Sequence, residues 1–196
     1  MKILLIADEI HKSLYNYFQE ERWSDIDLIL SGGDLKAGYL SFLVTLIKGA
    51  PLYYVRGNHD LDYKQDPPLG CVNIHAQIIN YKGLTILGLE GSPWYGGSGV
   101  EYKEWEMKWE VAKNLPKFFW HNYRQDIDVI LAHSPPYNLN DGDDRAHKGF
   151  HIFRWLIEKL NPDYFVHGHQ HLSYGRNDRI IEYQGTKIIN AYKYYV

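Results

Sequence analysis

The sequence predicts an α/β fold built on a parallel sheet, and three observations carry that prediction. From Lys2 to Val55, apolar strand-like runs alternate with helix-like segments in the order β-α-β-α-β. That order is the signature of parallel strands joined by crossover helices. Runs such as Lys2 to Ala7 are almost continuously apolar, as strands covered on both faces must be. Five apolar runs also end in residues that bind metal or move protons, and the carboxyl ends of parallel strands share one edge of a sheet.

In order, Lys2 to Ala7 is the first strand, closed by Asp8. Ser13 to Arg22 reads as a short helix with Leu14, Tyr17 and Phe18 apolar. Asp27 to Leu30 is the second strand, closed by Ser31-Gly32-Gly33-Asp34. Leu40, Leu43, Val44 and Ile47 fall at helical spacing, and Gly49 with Pro51 ends that helix. Leu52 to Val55 is the third strand, closed by Gly57-Asn58-His59-Asp60. Val72 to Ile74, Ile78 to Tyr81 and Leu84 to Leu89 read as short strands, with a turn at Lys82-Gly83. Gly91 to Gly99 is a glycine-rich loop carrying Trp94 and Tyr95. Tyr102 to Asn122 reads as a long amphipathic helix with Trp105, Trp109, Ala112 and Leu115 inward, and Pro116 as its point of bending or splitting. Glu101 to Glu110 reads as that helix's charged face. Ile127 to Ala132 is a strand closed by His133. Phe150 to Leu160 is a helix with Phe153, Leu156, Ile157 and Leu160 inward. Tyr164 to Val166 is a strand closed by His167-Gly168-His169-Gln170-His171. The tail reads as antiparallel strands with turns at Asn177-Asp178 and Gln184-Gly185.

The bulk properties narrow the function classes. At 196 residues, the chain predicts one domain, 1–196, with a substantial core. Apolar residues at 45% and charged ones at 23% describe an ordinary globular protein. A net charge of -3 and a pI near 6.3 leave no strong nucleic-acid footprint. The one cysteine, Cys71, excludes an internal disulfide. The apolar start is cut short by Asp8 and Glu9, so it does not read as a signal peptide. No run reaches the roughly 20 apolar residues of a membrane helix. The expectation is a cytoplasmic protein with no membrane partner, and its Tyr and Trp content leaves room for a homo-oligomer.

The strand ends supply Asp8, Asp34, Asn58-His59, His133, and His169 with His171. Carboxylates, an amide oxygen and imidazoles together suit divalent Mn, Fe, Zn or Co better than Ca or Mg. They are more ligands than one ion needs, so the expected cofactors are two divalent metal ions.

These residues resemble the calcineurin-like metallophosphoesterases. That family places Asp-x-His after the first strand, Gly-Asp after the second, Gly-Asn-His-Asp/Glu after the third, then a lone His, then Gly-His-x-His. This chain carries Gly33-Asp34, Gly57-Asn58-His59-Asp60, His133 in Ala132-His133-Ser134-Pro135-Pro136, and Gly168-His169-Gln170-His171, in that order. The run Asp144-Arg145-Ala146-His147-Lys148-Gly149-Phe150 is similar to one in a bacterial branch of the family. The resemblance implies a four-layer α/β/β/α sandwich with mixed sheets. It implies that Asp34 bridges two metals, that Asn58, His133 and His169 complete one site, and that Asp8 and His171 contribute to the other. His59 would bind no metal and would face the phosphate.

The first motif departs from the family, because Ile10 stands where its histidine is expected. Strand parity puts positions 8 and 10 on one side, so Ile10 rather than Glu9 replaces the ligand. Glu9 or His11 reaches in only if the backbone leaves strand geometry. Otherwise the first site keeps Asp8, Asp34 and His171 and binds its metal less tightly.

The expected reaction is hydrolysis of a phosphomonoester or phosphodiester, the substrate being a small molecule or nucleotide. Two cations about 3.5–4 Å apart lower the pKa of a shared water, and the hydroxide attacks in line. Protonated His59 assists the leaving group, and Asp60 holds its ring. Arg145 or His147 is expected to hold a phosphate, assisted by the helix start near Gly149. Trp94 and Tyr95 are placed to stack on a base or aromatic leaving group. The competing expectation is a non-catalytic binding or scaffold module on a degenerate phosphoesterase fold, as in the retromer subunit that shares it. A dinucleotide-binding domain is disfavoured, since no Gly-x-Gly-x-x-Gly follows the first strand.

Overall fold

The computed structural model describes residues 1–97, 99–124, 126–172 and 178–196. Its first part runs β1 (Ile3–Ile6), α1 (Glu20–Trp23), β2 (Leu28–Ser31), α2 (Ala37–Leu46), β3 (Leu52–Tyr54) and β4 (Cys71–Asn73). Then come β5 (Ile78–Tyr81), β6 (Leu84–Leu89), β7 (Ser92–Pro93), β8 (Glu101–Tyr102), α3 (Glu104–Arg124) and β9 (Val129–Ala132). The last part holds α4 (His151–Leu160), β10 (Tyr164–His167), β11 (Ile180–Tyr183) and β12 (Thr186–Asn190).

β1 to β4 pair in that order as a four-stranded parallel sheet. The second sheet has six strands in the order β11-β12-β10-β9-β6-β5. Its inner pairs are parallel, and β5 and β11 close its edges antiparallel. Period-2 alternation divides each strand between two cores. Leu4, Ile6 and Ile29 face a cluster with Leu40 and Leu43 of α2. Leu5, Ala7, Leu28 and Leu30 face Ile86, Val129, Leu131 and Val166 of the other sheet. That sheet's far face, with Ile130 and Phe165, packs on Met107, Val111 and Phe118 of α3 and Phe153, Leu156, Ile157 and Leu160 of α4. The layers are therefore α/β/β/α, with the first sheet built from the N-terminal part of the chain.

Several elements differ from the sequence reading. Trp105 and Trp109 point to solvent, 63% and 61% exposed. At 3.6 residues per turn, position 105 lies about 200° from Met107, so one helix face cannot bury both. Ala112 is also exposed, while Leu115 packs partly against the core. Pro116 lies inside α3 without splitting it. The Ser13–Arg22 segment is not one helix: a 3-10 turn at Lys12–Leu14 is followed by α1 only from Glu20. Gln184-Gly185 turns β11 into β12 as expected, with φ of 50° and 87°. The tail is nevertheless not purely antiparallel, because β12 also pairs in parallel with β10. Asn177 lies outside the described residues. Among those described, no helix is long and apolar enough to cross a membrane.

Candidate metal centre

Both sheets deliver side chains to one place. Asp8 follows β1, Asp34 follows β2 and Asn58 follows β3. His133 follows β9 and His169 follows β10. Asp8, Asp34 and His169 have φ of 65°, 56° and 66°, the left-handed region that non-glycine residues seldom occupy. The turns pack closely: a Cβ on Gly57 would overlap the Asp34 carboxylate, so only glycine lets the two loops meet.

Asp34, His133 and His169 each offer a ligand atom, all within 4.8 Å of one another. The tautomers follow from their outer partners. His133 Nδ1 lies 2.7 Å from the Gly32 carbonyl, so that nitrogen carries the proton and Nε2 is bare. His169 Nε2 lies 2.7 Å from the Ala146 carbonyl, which leaves Nδ1 bare. His133 Nε2 then lies 3.1 Å from His169 Nδ1, 2.9 Å from Asn58 Oδ1 and 3.5 Å from Asp34 Oδ2. The Asn58 amide nitrogen donates to the Tyr95 hydroxyl at 2.8 Å, which turns Oδ1 inward. Four acceptors therefore converge with no donor between them. Burial holds the His133 and His169 rings below the ordinary histidine pKa, so protonation does not relieve the repulsion. A cation does, and the donor set fits a divalent metal.

Asp8 lies beside this cluster. Its Oδ1 accepts the His169 N–H at 2.8 Å, and its Oδ2 is buried without a hydrogen-bond partner among the described residues. Burial, reinforced by the charges of Asp34 and Asp60, raises its pKa well above the usual carboxylate range. An orphaned buried carboxylate oxygen next to a second carboxylate also fits a cation. His171 stacks on Tyr192 with ring centroids 4.8 Å apart. It lines, with Asp8, Asp34, Asn58, His59 and His169, a cavity of about 410 Å³.

Ile10 packs against the α2-side core and lines a neighbouring cavity. Glu9 and His11 do not take its place. Glu9 accepts the Tyr192 hydroxyl and pairs with Lys193 at 3.2 Å. His11 bonds Ser13 and lies 4.7 Å from the Tyr194 ring. The backbone does leave strand geometry, at Asp8, but the turn sends Glu9 toward Lys193.

His59 stands at the rim with its side chain 76% exposed, its Nε2 4.0 Å from Asp34 Oδ2. Asp60 does not hold that ring. Its Oδ2 accepts the backbone N–H groups of Asp34 and Gly57, each at 2.8 Å, and burial pushes its pKa up to about 7. Asp60 thus clamps the loop after β2 to the loop after β3. His147 lines the metal cavity, bonded to Asp144 at 2.9 Å, with its ring centroid 5.3 Å from that of His169. Arg145 lies outside it, over the Trp94 ring. The start of α4 is not free for a phosphate, because the Glu104 carboxylate accepts from His151 and Ile152 N–H.

Several supporting groups escaped the sequence reading. Glu101 belongs to β8 rather than to a helix face, and its carboxylate accepts the N–H groups of Tyr95, Gly96 and Gly97. It fixes the loop whose Tyr95 orients Asn58. The Gly32 and Ala146 carbonyls that set the two tautomers carry no residue-type signal at all.

A family model described as calcineurin-like phosphoesterase matches residues 1–173. The Caenorhabditis elegans UPF0046 protein K07C11.7 is 25% identical over 215 residues, covering 97% of this chain and 69% of that protein. TT1561 of Thermus thermophilus superposes with a TM-score of 0.66 at 16% identity, over 96% of this chain and 88% of its own. Plasmodium GAP50, described as the anchor in the inner membrane complex, gives a TM-score of 0.53 at 13% identity, over 96% and 70%. At such identities the structural likeness concerns the fold.

Proposed function

We propose that this chain, which belongs to the calcineurin-like phosphoesterase family, hydrolyses a phosphomonoester or phosphodiester as one domain using two divalent ions. The observation that carries the reading is the convergence of Asp34, Asn58, His133 and His169 as acceptors with no donor among them. Those four residues would hold one ion. Asp8 and His171, sharing Asp34, would hold the other. Mn, Fe, Zn or Co suits this mixture of imidazole, amide and carboxylate. Such ions supply charge neutralisation for the phosphate and a nucleophile at neutral pH.

The chain's own residues do the rest. The Ala146 and Gly32 carbonyls keep both imidazoles in the ligating tautomer. His59, exposed at the rim with its Nε2 4.0 Å from Asp34 Oδ2, is placed to move a proton to the leaving oxygen. Asp60 fixes the position of Asp34 and, through Gly57, the loop that carries Asn58 and His59. Ile10 leaves the Asp8 and His171 site one ligand short, so the two ions bind with unequal affinity.

Turnover of p-nitrophenyl phosphate and its diester by protein reconstituted with Mn²⁺ tests the proposal. Hydrolysis that vanishes with chelation and returns with metal is the expected result. A filled site with no turnover under any metal overturns it in favour of a binding module, the reading that Ile10 alone favours.

A further inference from the structure

Beside the metal cavity lies a second one of about 310 Å³, bounded by Trp94, Tyr102, Lys103, Glu104, Arg145 and Phe150 among others. The two share a wall made of consecutive residues. Trp94 and Arg145 line the second cavity, while their neighbours Tyr95 and Ala146 line the metal cavity. Adjacent Cα atoms are about 3.8 Å apart, so the two cavities are close neighbours.

The chemistry of this cleft is cationic. The Arg145 guanidinium lies 4.9 Å from the Trp94 ring centroid and the Lys103 ammonium 5.6 Å from it. The indole holds both heads through its quadrupole. Among the described residues, neither head forms an ion pair. The nearby carboxylates are engaged by backbone N–H groups or by other cations, and Glu106 takes the backbone N–H of Lys103 at 2.7 Å. Glu104 takes two N–H groups at the start of α4, with Lys108 at 3.8 Å. Glu101 takes three N–H groups of the glycine-rich loop. Asp144 takes His147, and Asp143 lies 3.8 Å from Lys148. Arg56 offers a contrast, since its charge is spent on the buried Glu90 at 2.6 Å.

A third cavity has the opposite character. Its volume is about 620 Å³, and it shares Asp34 and His59 with the metal cavity. Asp60, Asp62 and Asp66 line it, with Lys36 as the cation there. The Asp62 and Asp66 carboxylates disfavour an anionic group there, whereas Arg145 and Lys103 favour one in the cleft.

We propose that the Trp94–Lys103–Arg145 cleft is a subsite for a second phosphate of the substrate, so that the compound processed here is bisphosphorylated. The inference rests on the phosphoesterase reading, which places the reacting phosphate in the neighbouring cavity. Arg145 supplies a planar fork for phosphate oxygens and Lys103 a point charge. Trp94 pre-orders both, which lowers the entropy lost on binding.

The test is calorimetric binding to Mn²⁺-loaded protein. The ligands are methylphosphonate and the propane-, butane- and pentane-bisphosphonates. The variant is Arg145→Met with Lys103→Met, which keeps the aliphatic stems. In the wild type, at least one bisphosphonate should bind about tenfold to a hundredfold tighter than methylphosphonate, the gain expected of charge-assisted hydrogen bonds. In the double variant that ratio should fall to near one. Reading the ratio removes any shared effect on the metal centre. Equal binding at every spacer length in the wild type, or an advantage that survives the double variant, overturns the subsite while leaving the phosphoesterase reading intact. Failure of methylphosphonate to bind at all overturns that reading, and the subsite with it.

Discussion

Asp60→Ala removes the acceptor that joins two ligand-bearing loops. Asp60 is 5% exposed, and its Oδ2 takes the N–H groups of Asp34 and Gly57 at 2.8 Å each. A buried amide left without a partner costs about 1–3 kcal/mol, so the two together cost about 2–6 kcal/mol. Against this, the variant relieves the desolvation of a carboxylate whose pKa is pushed up to about 7. At pH 7 that relief, about 4 kcal/mol for about three pKa units, offsets most of the loss. The comparison is therefore made at about pH 4, where the folded carboxyl is protonated, the relief is small and the loss should be about 2–5 kcal/mol. Metal affinity should fall as well, because Asp34 and Asn58 ride on the released loops. Asp60→Asn keeps an oxygen for both amides, so it should unfold near the wild-type midpoint and retain most turnover. Urea unfolding of metal-free protein, followed by circular dichroism, reads the first quantity, and titration calorimetry with Mn²⁺ reads the second. Asp60→Ala within about 1 kcal/mol of wild type would refute the clamp, since that is the loss ordinary substitutions produce. So would an Asp60→Asn protein as unstable as the alanine variant. Loss of turnover in a stable Asp60→Asn protein would instead place Asp60 in proton transfer.

Three further outcomes are expected. His59→Ala should keep its metals and lose about 10²–10⁴-fold in turnover, the worth of a positioned acid; near-normal rates would remove His59 from the reaction. Ile10→His should raise the affinity of the weaker ion and narrow the gap between the two binding steps; two equal tight steps already present in the wild type would contradict the role given to Ile10. The pKa of Asp60, raised from 3.8 to about 7, means the folded state keeps its proton where the unfolded chain has lost it. Asp60 should therefore contribute a loss of stability as pH rises between those values, set against the opposite contribution of the depressed His133 and His169 rings. The metal-free wild type should thus lose stability relative to Asp60→Asn as pH rises from about 4 to 7; a difference of the opposite sign defeats the assignment.

Residue types at strand ends are legible in a sequence because they are few and chemically loud. Asp8, Asp34, Asn58, His133 and His169 stand out for that reason, and buried strands such as β1 and β9 do so through unbroken apolarity. Helix phase was harder to read. Trp105 and Trp109 are the most apolar candidates on α3 by size, yet the buried stripe is Met107, Val111 and Phe118. The sheet beneath α3, not the hydrophobicity of single residues, selects which face turns inward. Asp60 shows a different limit. Its neighbour in sequence is His59, but its partners are backbone amides, one of them in the loop after β2, and backbone donors leave no mark on residue identity. The work of Glu101 was hidden in the same way.

The proposed ligand set also has a mechanical meaning. Asp8, Asp34 and Asn58 hang from one sheet, while His133 and His169 hang from the other. A cation shared among them is a rivet through the sandwich, closing a loop that runs through most of the chain. A bound cation adds stability in proportion to the logarithm of its excess over Kd. Chelators should therefore lower the unfolding midpoint of the metal-loaded protein, in addition to any effect on its chemistry.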